Sequence, residues 1–369
     1  MLNIHRLFTQ IFCLMIGLFL FNHSSGAGTI DELNKAVVPL ISQDSRSQQN
    51  AYRTALHQVL IKLTGDQSFS QHPEYEKLLG NAIKFVTSTE FVENQANQLL
   101  VIFNQELLER WIKRNGLPLW GAQRPEALLW FIEQSYASKE RIILTDSIET
   151  DTKEILNQHL FNRGIRLDLP LMDIIDINLV SEIDIWGQFV DTLHEGAIRY
   201  NTPYTIGVRL VETRPNSWVL DYFVKSDAAL RLQQLTGSDK AQLIQQFVNE
   251  YAQFQAEKYA LDTTRFVDNT QIQLEINISG VNDIIVLSEI ENYLTSLSIV
   301  EKVELTGQST DTSTFNIKLI GTPEQLHQIL SNGNKLVAHT TLDNGMDNFN
   351  RIGNDSHLDT SIKYSYVWR

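Results

Sequence analysis

Apolar and polar positions change period several times along the chain, and each change predicts an element. Residues 33–41 read as a strand. Ala51, Ala55, Leu56, Val59, Leu60 and Leu63 then fall on one face at helical spacing, with Ser45 and Gln48 set as a capping box and Gly65 as the stop. A second helix over 74–87, strands at 90–92 and 99–103 and a helix over 106–114 complete a small α/β module. Pro118 and Pro125 then interrupt the pattern, because proline lacks the N–H that a strand or helix interior would use. Ala127–Ile132 is apolar without alternation, as suits a strand covered on both faces. A helix over 152–163 ends at Gly164, and a strand follows at 165–169. Residues 195–200 read as the end of a helix. A strand pair spans 204–211 and 218–225, and the long helix over 239–261 carries Leu243, Phe247, Tyr251, Phe254 and Tyr259 as its stripe.

From residue 271 the alternation becomes strict. Ile272, Leu274, Ile276 and Ile278 occupy one face and polar residues the other. A helix capped by Asn282 or Asp283, strands at 300–305 and 314–320, a helix opened by Thr322-Pro323-Glu324-Gln325 and a strand at 335–338 give the order β-α-β-β-α-β, that of a ferredoxin-like split βαβ domain. Residues 343–356 are rich in Asn, Asp and Gly and read as flexible. The chain closes on Ile362, Tyr364, Tyr366 and Trp368, alternating as a strand added to a nearby sheet edge. The expected organisation is α+β: residues 1–27, then α/β modules at 28–117 and 118–264, a ferredoxin-like module at 265–341, and a tail over 342–369 with a terminal strand.

Residues 1–27 stand apart. Arg6 precedes the uncharged run Ile11–Phe21, which is shorter than the roughly 20 residues a bilayer span needs, and Ser25-Gly26-Ala27 supplies small residues for cleavage after Ala27. This is the pattern of a cleaved signal peptide, and the expected location is the periplasm with no membrane span left after cleavage. The single cysteine, Cys13, leaves with that segment, so no disulfide, thiolate nucleophile or cysteine-held metal is expected. With 44 Asp and Glu against 30 Lys and Arg, the chain is acidic, which argues against nucleic acid as a partner.

Two stretches are dense in side chains that carry chemistry. Asp173 and Asp176, with Asp168, Glu182 and Asp184 nearby, have the residue types of a hard-cation site or of an acid and base pair for glycoside hydrolysis. Their spacing lacks the Gly and bidentate Glu of a calcium loop. The plainer expectation is that they cap turns or pair with Arg199 or Arg166. Trp120 and Trp186 have the shape to stack on a sugar ring, and Arg124 the donors to hold a carboxylate or phosphate. The plainer expectation for these is that Trp120 packs a domain junction and Arg124 ties down loop carbonyls. No zinc helix, nucleophile elbow or phosphate loop occurs, and no cofactor is expected.

The run Leu56-x-x-Val59-Leu60-Ile61-Lys62-Leu63-Thr64-Gly65, with Leu117-Pro118-Leu119-Trp120-Gly121, Arg124-Pro125, Leu128-Leu129-Trp130, Arg163-Gly164 and Leu169-Pro170-Leu171-Met172-Asp173, resembles the exported proteobacterial proteins grouped as domain of unknown function family 2066. That resemblance, over residues 30–260, implies an envelope location and no reaction or cofactor. At fold level the middle module is also similar to α/β domains of periplasmic translocation and curli-secretion proteins. Two functions are therefore expected in competition. One is a non-enzymatic envelope protein that binds another protein. The other is a cell-wall glycan hydrolase, or a glycan or divalent-cation binder, built on Asp173 and Asp176.

Overall fold

The computed structural model describes residues 32–92, 97–267, 272–332, 335–338 and 363–369. It is a mixed α+β structure with three sheets. The expected signal segment and the expected flexible stretch over 343–356 lie outside the described residues.

In the first module, β1 (Lys35–Pro39) leads into α1 (Ser45–Thr64), then α2 (Tyr75–Gly80), β2 (Val86–Phe91), β3 (Gln98–Phe103) and α3 (Gln105–Arg114). The sheet is antiparallel in the order β1-β3-β2. Ala51, Ala55, Leu56, Val59, Leu60 and Leu63 are all buried against it. The cap of α1 differs from the expected box. Asp44 Oδ1 accepts from the N–H groups of Arg46 and Ser47 at 2.8 and 2.9 Å, because a carboxylate one residue earlier meets the same orphan donors and also the positive end of the helix dipole. Gly65 ends the helix at φ 72°, where its N–H donates to Ile61 O. The expected helix over 74–87 stops at Gly80. The β-branched Val86, Thr87 and Thr89 instead belong to β2.

The central module comprises β4 (Ala127–Gln134), β5 (Arg141–Ile143), α4 (Asp151–Arg163), β6 (Leu167–Asp168), α5 (Ile174–Leu179), α6 (Glu182–Trp186), α7 (Val190–Ala197), β7 (Tyr204–Arg214), β8 (Ser217–Lys225), β9 (Leu230–Gly237) and α8 (Lys240–Tyr259). The strand order is β5-β4-β7-β8-β9, with β6 also beside β4. β4 and β7 run parallel, and β4 is covered on both faces as its unbroken apolar run requires. Ala127, Leu129 and Phe131 face the core under α4 and α8, whereas Leu128, Trp130 and Ile132 face α5–α7. The Trp130 indole donates to Leu193 O at 3.0 Å and ties α7 to the sheet. Gly207 leaves room for Phe223, whose ring lies 2.2 Å from where a Cβ would stand. Strand β9, α5 and α6 have no counterpart in the sequence expectations.

A short helix, α9 (Thr264–Val267), precedes the third sheet, built from β10 (Ile272–Ser279), α10 (Ile284–Ser296), β11 (Val300–Gln308), β12 (Thr312–Leu319), α11 (Pro323–Asn332), β13 (Leu336–Ala338) and β14 (Lys363–Trp368). Asp283 caps α10, and Thr322 and Gln325 exchange the reciprocal bonds of a capping box at α11. The order β11-β12-β10-β14-β13 departs from the ferredoxin-like expectation, in which the strand at 335–338 lies next to β10. β14 takes that place, parallel to β10, and β13 pairs antiparallel with its outer side. The terminal strand therefore fills the sheet interior and does not extend its edge. Its aromatics anchor it there: Tyr366 is buried, and Trp368 packs edge-on against Tyr293 of α10.

Candidate functional site

The acidic stretch is organised by α5. Asp173 caps that helix, with Oδ1 accepting from the N–H groups of Ile175 and Asp176 at 3.0 Å each. Its two oxygens also receive Arg199 Nη1 at 2.7 Å and Nη2 at 2.8 Å, a fork-on-fork pair. Asp176 is fully buried. Its Oδ1 accepts from Arg199 Nη1 at 2.8 Å, and its Oδ2 accepts from Met172 N at 2.9 Å and from the Tyr200 hydroxyl. The Tyr200 oxygen in turn accepts from Leu171 N at 2.9 Å. Arg199 holds the Asp173 carboxyl well below the usual carboxylate range, and burial together with Asp176 pushes the Tyr200 hydroxyl up. A glycosidase acid needs the opposite environment, one in which a carboxyl keeps its proton near neutrality. Among the described residues no group of three or more His, Cys, Asp or Glu is placed to hold a metal ion. The arrangement locks a helix and a turn together.

The two candidate stacking residues are occupied as well. Trp186 is half-buried beneath guanidinium groups: Arg141 lies 4.0 Å from its ring centroid and Arg209 5.6 Å. Arg141 is itself paired with Glu182 at 2.9 Å, and Arg209 donates to Trp186 O at 2.9 Å and to Asp221 at 2.8 Å. Trp120 is only 1% exposed, with Arg124 stacked 3.7 Å above its ring. Arg124 donates to the carbonyl oxygens of Gly121, Arg163, Gly164, Lys62 and Trp120. Two of these carbonyls end helix α4 and one ends α1, so a single cation satisfies the orphan acceptors of two helix C-termini at the seam between the first and second modules.

What the sequence reading missed is an apolar face. In α5 the polarity is inverted: Asp176 is the buried residue, while Ile174 is 80% exposed and Ile177 59%. Ile183 of α6, Phe189 and Ile198 are also exposed by more than half, and so is Leu232 of edge strand β9. Cross-strand pairing puts Leu232 opposite Phe223, which packs against α7's core, so it lies on the sheet face that carries α5–α7. The signal was available: Ile174-Ile175-x-Ile177-x-Leu179 has more apolar positions than one face of a two-turn helix can bury.

No helix among the described residues is long and apolar enough to cross a membrane. One solved structure, titled "Crystal structure of uncharacterized protein", is similar over 37% of this chain and 92% of its own, at 10% identity and a TM-score of 0.16. No curated protein matches. Residues 27–121 match the model of a domain of unknown function, DUF8605. This corrects the expected resemblance to family 2066: two of the motifs that carried it, Leu56–Gly65 and Leu117–Gly121, fall within the DUF8605 match, the others lie beyond it, and short apolar-glycine runs of this kind serve helix ends and proline turns in many folds.

Proposed function

We propose that this is a non-enzymatic protein-binding factor of the cell envelope, and that the face formed by α5, α6, Phe189 and β9 is where its partner docks. The observation that carries this reading is the exposed set of Ile174, Ile177 and Ile183 above a network in which every candidate catalytic carboxylate is already engaged. Water-exposed isoleucines on one face cost solubility unless a partner covers them. The periplasmic location rests on Arg6, the apolar run Ile11–Phe21 and Ser25-Gly26-Ala27. Modules divided near residues 117 and 264, the last a ferredoxin-like unit opened to admit β14, are part of the same proposal.

A photo-crosslinking residue at Ile177 or Ile183, compared with one on the opposite face at Gln246, tests the docking face. A stoichiometric protein adduct from the first two positions and none from the third is expected. Ile174→Asp with Ile183→Asp should abolish the adduct without unfolding the chain. Equal labelling at all three positions, or none, would remove the proposal. Amino-terminal sequencing of the envelope fraction tests export; a mature chain beginning at Gly28 is the expected result.

A further inference from the structure

Lys62, Arg124 and Arg163 are all buried, and none forms a salt bridge among the described residues. In an acidic chain this is a concentration of basic side chains with no carboxylate in direct contact; Glu32 and Asp66 act on Lys62 and Arg163 only at a distance. Carbonyls supply the compensation for two of them. Arg124 has its five acceptors, and Lys62 donates to Lys35 O at 2.8 Å with its ammonium 3.6 Å from the Phe161 ring centroid. Arg163 is different. It is 4% exposed, its Nη2 donates to Gly65 O at 3.1 Å, and its Nε and Nη1 have no acceptor. A buried donor left without an acceptor normally costs enough to be removed by selection unless something else supplies the bond.

Arg163 lines a cleft of about 220 Å³ between α1, α4 and α8. Its other polar walls include His57, Gln58, His159, Asn162 and Asn249. Gln58 Oε1 is also buried without a partner, an acceptor that suits a hydroxyl or protonated oxygen carried beside the charged group. Burial lowers the pKa of both imidazoles, and His57 Nδ1 shares a hydrogen bond of 3.0 Å with the Tyr75 hydroxyl. The carboxylate felt by Arg163 is Asp66, which acts on it at a distance and makes no ion pair with it. A second cleft of about 500 Å³ lies along α8 and shares Gln67, Gln245 and Asn249 with the first.

We propose that this cleft is a binding site for a small oxyanion, a carboxylate or phosphate group, received by Arg163 with His57, His159 and the neighbouring amides. The charge, the unsatisfied N–H groups and the size all fit that class, and the amides suit a ligand whose remaining oxygens are neutral. The site lies on the face of the central sheet opposite α5 and α6, so it stands or falls independently of the docking face.

The test is nuclear magnetic resonance of the His57 and His159 rings in the full chain, titrated with sodium phosphate, sodium acetate or sodium chloride at matched ionic strength. Saturable shifts of both rings with phosphate or acetate, but not with chloride, are expected, and whichever of the two saturates first identifies the preferred group. Arg163→Gln should weaken binding by roughly tenfold or more, the worth of a charge-assisted bond. Because that change also touches Gly65, His159→Ala at the half-buried rim is the second variant, with a several-fold loss expected. Ile174→Asp should leave the titration unaltered. Absence of saturation in the unmodified protein, or equal affinity in it and in either folded variant, would overturn the proposal.

Discussion

Arg124 lies with its guanidinium 3.7 Å from the centroid of the Trp120 ring, and the pair is sealed between the first two sheets. The four-residue spacing brings them together, but the carbonyls that complete the contact come from Lys62, Arg163 and Gly164. Removing the guanidinium strands those oxygens in a site water does not reach. Arg124→Ala is expected to lower the unfolding free energy by about 3 kcal/mol or more in urea denaturation. Arg124→Lys should recover little, since one ammonium cannot span five acceptors.

Asp173 gives the acid limb of stability a definite sign. Arg199 and two backbone N–H groups lower its pKa in the folded protein, so the unfolded chain binds the proton more readily. Its contribution is complete above the ordinary carboxylate range and is lost as pH falls through that range toward the folded value. Urea midpoints measured from pH 7 down to acid should show this loss, and Arg199→Gln should flatten it. An unchanged acid limb in that variant would refute the assignment.

Lys62 works on the alkaline side. Burial, with Arg124 as the next cause, depresses its pKa from 10.5 to about 7 in the folded protein. Between those values the unfolded chain holds more protons, so stability should rise with pH from about 7 to 10, by up to about 4 kcal/mol if nothing else titrates. Lys62→Met should remove most of that rise and be the more stable protein at neutral pH. A slope that survives the substitution would assign the effect elsewhere.

Deleting residues 363–369 tests the unexpected strand order. β10 would lose its parallel neighbour and β13 its only pairing strand among those described. Amide exchange should accelerate in β10 and β13, with β4 and β7 unaffected. Uniform acceleration would indicate that the third sheet is coupled to the others through more than β14.

The helices with one apolar stripe and a glycine stop were legible in the sequence because burial and backbone geometry agree there, as in Ala51–Gly65. Strand β9 was not, since seven of its eight residues are exposed and an edge strand has no alternation to enforce. The position of β14 depends on a pairing with β10, which local pattern does not encode. At the acidic stretch, the residue types and the Arg199 partner were readable, but the inversion that buries Asp176 and turns Ile174 outward runs against the rule by which helices are read. The cleft at Arg163 joins residues from three helices distant along the chain, so no spacing announces it.

Cations clasped by peptide oxygens beyond the reach of dissolved ions feel the electrolyte around them far less than surface charges do. The joint between the first and second sheets should therefore hold equally well in brine and in dilute buffer, and the two halves it fastens should melt as one body at either strength.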